Sequence, residues 1–189
     1  MIALVRHPQP DIAPGICYGR LDVGLSAEGH AAIAPIVARL ADHPAPVIWT
    51  SPARRCNAVA QALGVARRRI PHVEPRLREL DFGAWEGRAW DDVPRSLLDH
   101  WAADPLGFAP PGGESGAALL ARVGEVHAAL SAQGTSCIVV AHGGPLKLLA
   151  ALLRGAPPDL LATAPPLGSI TLIAMPAPPM PPRSAQDIP

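Results

Sequence analysis

Three short stretches of the chain carry residue types suited to gripping a dianion. Arg6-His7 follows Met1-Ile-Ala-Leu-Val5, Ser51-Pro52-Ala53-Arg54 follows Pro46-Val-Ile-Trp49, and His142-Gly143-Gly144 follows Ser136-Cys-Ile-Val-Val-Ala141. A guanidinium presents fixed donors to phosphate oxygens, an imidazole adds a donor or a lone pair, and the free N–H groups of a helix start favour negative charge. Ser51 reads as an N-cap and Pro52 as the first helical residue, which puts Arg54 in the first turn at the positive end of the helix dipole. Two histidines and two arginines, Arg6 and Arg54, brought to one edge make a pocket for a dianion. Arg55, one position on, reads as a solvated helix charge.

The elements that must position these groups follow from the apolar pattern. Each of the three runs is short, apolar and rich in β-branched residues, so each reads as a buried strand delivering its polar residues at its carboxyl end, where open α/β sheets bind ligands. Between them, Pro8 to Leu25 is rich in Pro and Gly and is expected as an ordered loop over the site, carrying Tyr18 and Arg20 as the groups most able to reach a ligand. Ser26 caps a helix expected to run to about Asp42 with a kink at Pro35. Pro52 to Leu63 is the next helix, ending before Gly64. Residues 70–74 form a short edge strand, demoted by Pro71. Trp85 to about Ala103 is expected as helix, with Trp90, Leu97, Leu98 and Trp101 as its apolar stripe. Glu114-Ser115 opens a helix to about Ala132, with Glu114 as a charge at the helix start and Glu86 as a turn carboxylate. Gly144 as N-cap and Pro145 at the first helical position start the helix after His142. Residues 168–175 read as a last strand, and the proline-dominated 176–189 as a disordered tail. Strands alternating with helices imply an α/β fold of three layers, α/β/α, with a mainly parallel sheet covered on both faces.

With those positions in view, the chain resembles the histidine phosphatase superfamily, also called phosphoglycerate-mutase-like, whose signature is Arg-His after the first strand. The matching positions are Arg6 and His7, Arg54 in Ser-Pro-Ala-Arg-Arg, Glu79 in Leu-Arg-Glu-Leu-Asp-Phe-Gly-Ala-Trp-Glu-Gly, and His142 with Gly143. The resemblance implies a domain over residues 1–175 with a lid-like insertion at about 82–113. It implies His7 as a nucleophile that takes the phosphoryl group, Arg6, Arg54, His142 and Gly143 as its binding groups, and Glu79 as proton donor to the leaving alcohol. No metal and no cofactor is required by that scheme. Pro8 and Gln9 stand where the family more often has Gly and Glu, and Arg20 is the candidate to supply the missing donor. Within the family, Gly15-Ile-Cys-Tyr-Gly-Arg-Leu-Asp22, Glu79 to Gly87 and Trp101-Ala-Ala-Asp-Pro105 look most like α-ribazole phosphatases. Such a substrate needs an aromatic or apolar rim, for which Tyr18 and the tryptophans of the lid are the candidates. A broad-specificity phosphatase, a phosphoglycerate-type mutase and a non-catalytic phospholigand-binding module remain as alternatives.

Composition excludes other classes. With 189 residues, 49% of them hydrophobic, one domain with a real core is expected. Sixteen basic against sixteen acidic residues leave no field to draw nucleic acid or an anionic membrane, so any substrate charge must be met locally, as the small phosphate monoester that the resemblance implies would be. Three widely spaced cysteines, Cys17, Cys56 and Cys137, match neither a metal-ligand pattern nor a disulfide framework, which points to a reduced, cytoplasmic setting. No signal peptide and no membrane span is readable. His30, His43, His72, His100 and His127 lack matching neighbours and read as structural. Oligomeric state leaves no mark on the sequence.

Overall fold

A computed structural model describes residues 1–174; Met175, read as the end of the last strand, and the proline-rich segment 176–189 lie outside the described residues. Five strands form one mixed sheet: β1 (Ile2–Arg6), β2 (Val47–Thr50), β3 (His72–Val73), β4 (Cys137–Ala141) and β5 (Ile170–Ile173). Their order is β3-β2-β4-β1-β5, parallel throughout except for β5, which runs antiparallel to β1 at one edge. Both faces are covered. Ile2 and Leu4 of β1 point toward a core completed by Leu119, Val123, Val126 and Leu130 of α5 (Gly116–Gln133) and Leu146 and Leu149 of α6 (Gly143–Leu153). Ala3 and Val5 point the other way, against Ile36, Leu40, Val59 and Leu63 of the helices before β3. The period-two alternation of side chains thus feeds two cores, which is why the strands read as continuous apolar runs. No helix among the described residues is long and apolar enough to cross a membrane.

Local chemistry explains where the helices depart from the expected bounds. The helix expected over 26–42 is two: α1 (Ala27–Ala31), capped by the Ser26 hydroxyl, and α2 (Ile33–Arg39). Pro35 has no N–H for the Ala31 carbonyl and its ring crowds that carbonyl, so the helical ladder is interrupted there while Ala32 keeps helical dihedrals. The next helix, α3 (Arg54–Arg67), starts two residues later than expected, because Ala53 is still extended and the Asp22 carboxylate takes the first helical N–H, that of Arg54. It also runs through Gly64, where the Arg69 carbonyl passes too close for a side chain. The stretch 85–103 is α-helical only in α4 (Arg95–Ala103), with single 3₁₀ turns at Gly83–Trp85 and Trp90–Asp92 before it. Upstream, its backbone is spent on the 15–17 loop through Cys17 N–H to Arg88 O at 2.8 Å, Gly87 N–H to Cys17 O at 2.9 Å and Trp90 N–H to Gly15 O at 2.8 Å. Those bonds compete with the helical ladder and win. This segment has its own small core of Cys17, Trp85 and Val93 with Phe82, Trp90, Trp101 and Phe108 around it.

Candidate active site

The register of the sheet brings the histidines together. Arg6 pairs with Ala141, so the next residues of β1 and β4 are His7 and His142, and the His7 N–H donates to Ala141 O at 3.1 Å. Their rings meet edge to face with centroids 5.1 Å apart. Thr50 pairs with Val140 on the other side of β4, which sets Ser51 at the same level.

His7 is almost wholly buried, at 1% exposure. Its Nδ1 lies 2.8 Å from the Pro8 carbonyl oxygen. A carbonyl only accepts, so Nδ1 carries the proton and Nε2 keeps its lone pair. Burial, helped by the Arg55 and Arg6 charges and opposed by the Pro8 bond, pulls the His7 pKa down to about 3. His142 is also fully buried, with Nε2 2.8 Å from Ser51 Oγ and Cys56 Sγ packed at 3.5 Å. Burial holds it well below the ordinary histidine range, so both imidazoles are neutral at neutral pH.

The arginines are where the sequence reading needs correction. Arg54 is exposed; its backbone N–H donates to Asp22 Oδ1 at 2.8 Å, and its guanidinium lies out over Gly24. Arg55 is the buried one, with 0% exposure. It donates from Nη1 to Leu21 O at 3.0 Å and from Nη2 to Gly19 O at 2.7 Å, and it lies over the Tyr18 ring, Cζ 5.3 Å from the centroid. The inward face of α3 is set by the stripe it packs on the sheet, and Arg54 lies about 100° around the helix from Arg55. A signal was present: Cys56, Val59, Ala60 and Leu63 form the buried stripe, and Arg55 sits four before Val59 on that stripe. Arg6 is the last residue of β1. Its Nη1 donates to Pro165 O at 2.6 Å, and a Cβ on Gly143 would lie 3.2 Å from its Cζ, so the glycine lets α6 start against the guanidinium.

Glu79 stands at the other side of the same helix start. Its Oε2 accepts the Gly144 N–H at 3.2 Å and its Oε1 the Leu80 N–H at 3.0 Å. A methyl on Gly144 would run into Oε1. The N-cap of α6 is His142 rather than Gly144, so Pro145 falls in the third helical position. Arg122, which the sequence reading passed over, holds the Glu79 segment: it donates to the carbonyls of Arg76 at 2.6 Å, Arg78 at 2.5 Å and Glu79 at 3.0 Å while paired with Glu114. Glu114 is therefore an ion-pair partner and not a helix cap. Glu86 is the turn carboxylate expected, accepting N–H groups of Arg20 and Phe82.

Arg20, Asp22, Arg78, Glu79 and His142 border one cleft. Arg20 donates from Nε to the Glu79 carbonyl at 3.0 Å. Tyr18 is half-buried with the Arg55 guanidinium over its ring, and burial raises its pKa. A second pocket adjoins Glu79, a cavity of about 140 Å³ with Phe82, Trp101, Leu160 and Lys147 around it. Of the expected aromatic rim, only Trp101 reaches it; Trp85 is buried in the small core with Cys17 and Val93.

Comparison with known proteins agrees with this geometry. A glucosyl-3-phosphoglycerate phosphatase of Mycobacterium tuberculosis is 31% identical over 184 residues, covering 89% of this chain and 80% of the relative. Phosphoserine phosphatase 1 of Hydrogenobacter thermophilus is 27% identical over 160 residues, covering 82% and 76%. The crystal structure of the α-ribazole phosphatase of Shigella flexneri superposes with a TM-score of 0.77 at 25% identity, covering 89% of this chain and 96% of that one. The family model of the histidine phosphatase superfamily (branch 1) matches residues 2–176. Strand register, paired histidines and overall match agree: the chain belongs to branch 1 of the histidine phosphatase superfamily.

Proposed function

We propose that this phosphatase hydrolyses small phosphate monoesters through a phosphohistidine on His7. The observation that carries the reading is the His7 ring itself: Nδ1 is tied to the Pro8 carbonyl, so the lone pair sits on Nε2 and burial keeps it unprotonated near neutrality. Nε2 forms a bond to phosphorus as the bond to the leaving oxygen breaks, and Glu79 gives that oxygen a proton. Water then attacks phosphorus, the N–P bond breaks, and Glu79 takes the water's proton as inorganic phosphate leaves. A neutral nucleophile avoids the repulsion an anion would meet at a phosphate dianion. Arg6, Arg55, His142 and the free N–H of Gly143 at the start of α6 hold the equatorial oxygens. Because His7 lies behind the cleft at 1% exposure, a side-chain movement admits the phosphoryl group to it.

For the alcohol half we propose α-ribazole 5′-phosphate. Support comes from the pocket beside Glu79, whose Phe82 and Trp101 offer a wall to a flat base, and from the likeness to the Shigella flexneri enzyme. A second reading has its own observation. Beside Glu79, Arg20, Asp22 and Arg78 line the cleft, and the exposed Arg78 guanidinium has no partner among the described residues. That wall suits an acidic, hydroxyl-rich ester of the kind the Mycobacterium tuberculosis relative is named for. Steady-state kinetics on both esters, with p-nitrophenyl phosphate and a sugar phosphate as references, separates them. The first reading expects kcat/KM for α-ribazole 5′-phosphate to exceed the others by at least about 10², or about 2.7 kcal/mol, and to fall in Trp101→Ala. Preference for the acidic ester, lost in Arg78→Ala, favours the second. A flat profile means a general phosphatase, and phosphoryl exchange between phosphoglycerates a mutase.

A further inference from the structure

The connection from α6 to β5 is laid against the site at three points. The Arg6 guanidinium donates to Pro165 O at 2.6 Å, the Gly168 N–H to His7 O at 3.2 Å, and the Arg6 N–H to Ser169 O at 3.1 Å. Ala164 packs beside Gly143, close to the same guanidinium. The upstream half of the connection is held differently. Lys147, in the second turn of α6, donates from Nζ to Leu160 O and to Ala162 O, the latter at 3.0 Å. Among the described residues no other side chain from outside the connection bonds to its backbone between residues 156 and 164.

A lysine on a helix surface is ordinarily solvated and mobile, since its long stem loses rotamer freedom when fixed. This one is partly buried and gives two of its three donors to carbonyls, and burial lowers its pKa. It stands one turn beyond Gly143 and Gly144, the residues against which Arg6 and Glu79 lie.

We propose that Lys147 is a positioning residue for Arg6: by fixing residues 160–162 to α6 it sets the place of the Pro165 carbonyl, and that carbonyl aims the guanidinium at the phosphoryl group. The inference rests on the reading of Arg6 as a phosphate-binding residue. Without the two bonds the connection shifts and Arg6 loses its fixed acceptor. Misplacement of a binding group by about 1 Å can cost up to about 10²-fold in rate, and a partial loss of order is expected to cost about tenfold.

The test is a double-mutant cycle read by two quantities, kcat/KM on p-nitrophenyl phosphate and the inhibition constant of inorganic phosphate. Lys147→Met is expected to weaken phosphate inhibition and lower kcat/KM by about tenfold each, with Lys147→Arg restoring both to within about threefold. In an Arg6→Ala background, Lys147→Met should change either quantity by less than about twofold, because its route of action is gone. Lys147→Gln, uncharged and shorter, carries the same test if Lys147→Met does not accumulate as folded protein. Losses that multiply independently in the double variant, or native phosphate inhibition in Lys147→Met, would overturn the proposal. Native phosphate inhibition in Arg6→Ala alone would overturn the reading of Arg6 and the proposal with it, whereas loss there without coupling to Lys147 overturns the proposal only.

Discussion

Adjacent arginines with opposite fates give the sharpest check on the site. Arg55 is wholly buried, its charge lowers the pKa of both histidines, and it satisfies the carbonyls of Gly19 and Leu21, whereas Arg54 is exposed and its side chain has no hydrogen-bond partner among the described residues. Removing a preorganised donor from developing phosphoryl charge costs about 10²- to 10³-fold. Arg55→Ala also releases two charge-assisted bonds that anchor the 18–22 loop, each worth about 1.5–3 kcal/mol, and that loop carries Arg20. The expected loss in kcat/KM on p-nitrophenyl phosphate is therefore about 10³-fold, or about 4 kcal/mol of transition-state stabilisation, with a stability loss of about 3 kcal/mol in a guanidinium melt. Arg54→Ala should stay within about threefold in activity and within about 0.5 kcal/mol in stability. Near-native activity in Arg55→Ala, or a loss of 10²-fold or more in Arg54→Ala, would refute the assignment.

Three further outcomes follow from the same geometry. Because His7 is held near pKa 3 and His142 is also depressed, the unfolded chain takes up protons between about pH 6.5 and 3 that the folded protein refuses. Stability is therefore full above about pH 6.5 and falls with pH by up to about 1.4 kcal/mol per unit for each histidine, a slope that His7→Asn should reduce by one proton's worth in denaturant melts across pH. Glu79→Gln should slow alkyl phosphates by about 10²-fold or more while sparing p-nitrophenyl phosphate, whose leaving group needs no proton; equal losses on both would argue against the acid. Gly144→Ala, whose methyl meets Glu79 Oε1, should show the same leaving-group pattern without touching the carboxylate chemically, and a Glu79→Gln background should absorb its effect.

What the sequence made legible was the part set by strand periodicity. β1, β2 and β4 are buried on both faces, so their apolar runs end where their polar residues begin, and His7 and His142 fell on the same edge. What it left unread depended on a helix start. Ser51 and Pro52 spell a cap and a first turn, but the Ser51 hydroxyl lies on His142 and the helix starts at Arg54, with Arg55 on the buried stripe and Arg54 outside it. The 85–103 stretch went astray for a related reason. Its tryptophan spacing suits a helix, but the backbone of residues 87–90 is bonded to a loop seventy residues earlier, a partner no local pattern reveals. Arg122 and Lys147 carry no sequence signal because the backbone carbonyls they hold, those of Arg76, Arg78 and Glu79 for one and of Leu160 and Ala162 for the other, have no side-chain signature.

The central claim is that the phosphoryl group passes through His7. Rapid acid-free quench of the native enzyme with a ³²P-labelled monoester, followed by denaturation and peptide mapping, should recover a base-stable, acid-labile adduct on the peptide containing His7, formed and consumed within a turnover and missing in His7→Ala. A label that survives His7→Ala, or turnover by the native enzyme with no adduct at any quench time and inversion rather than retention at a chiral phosphorus, would contradict it.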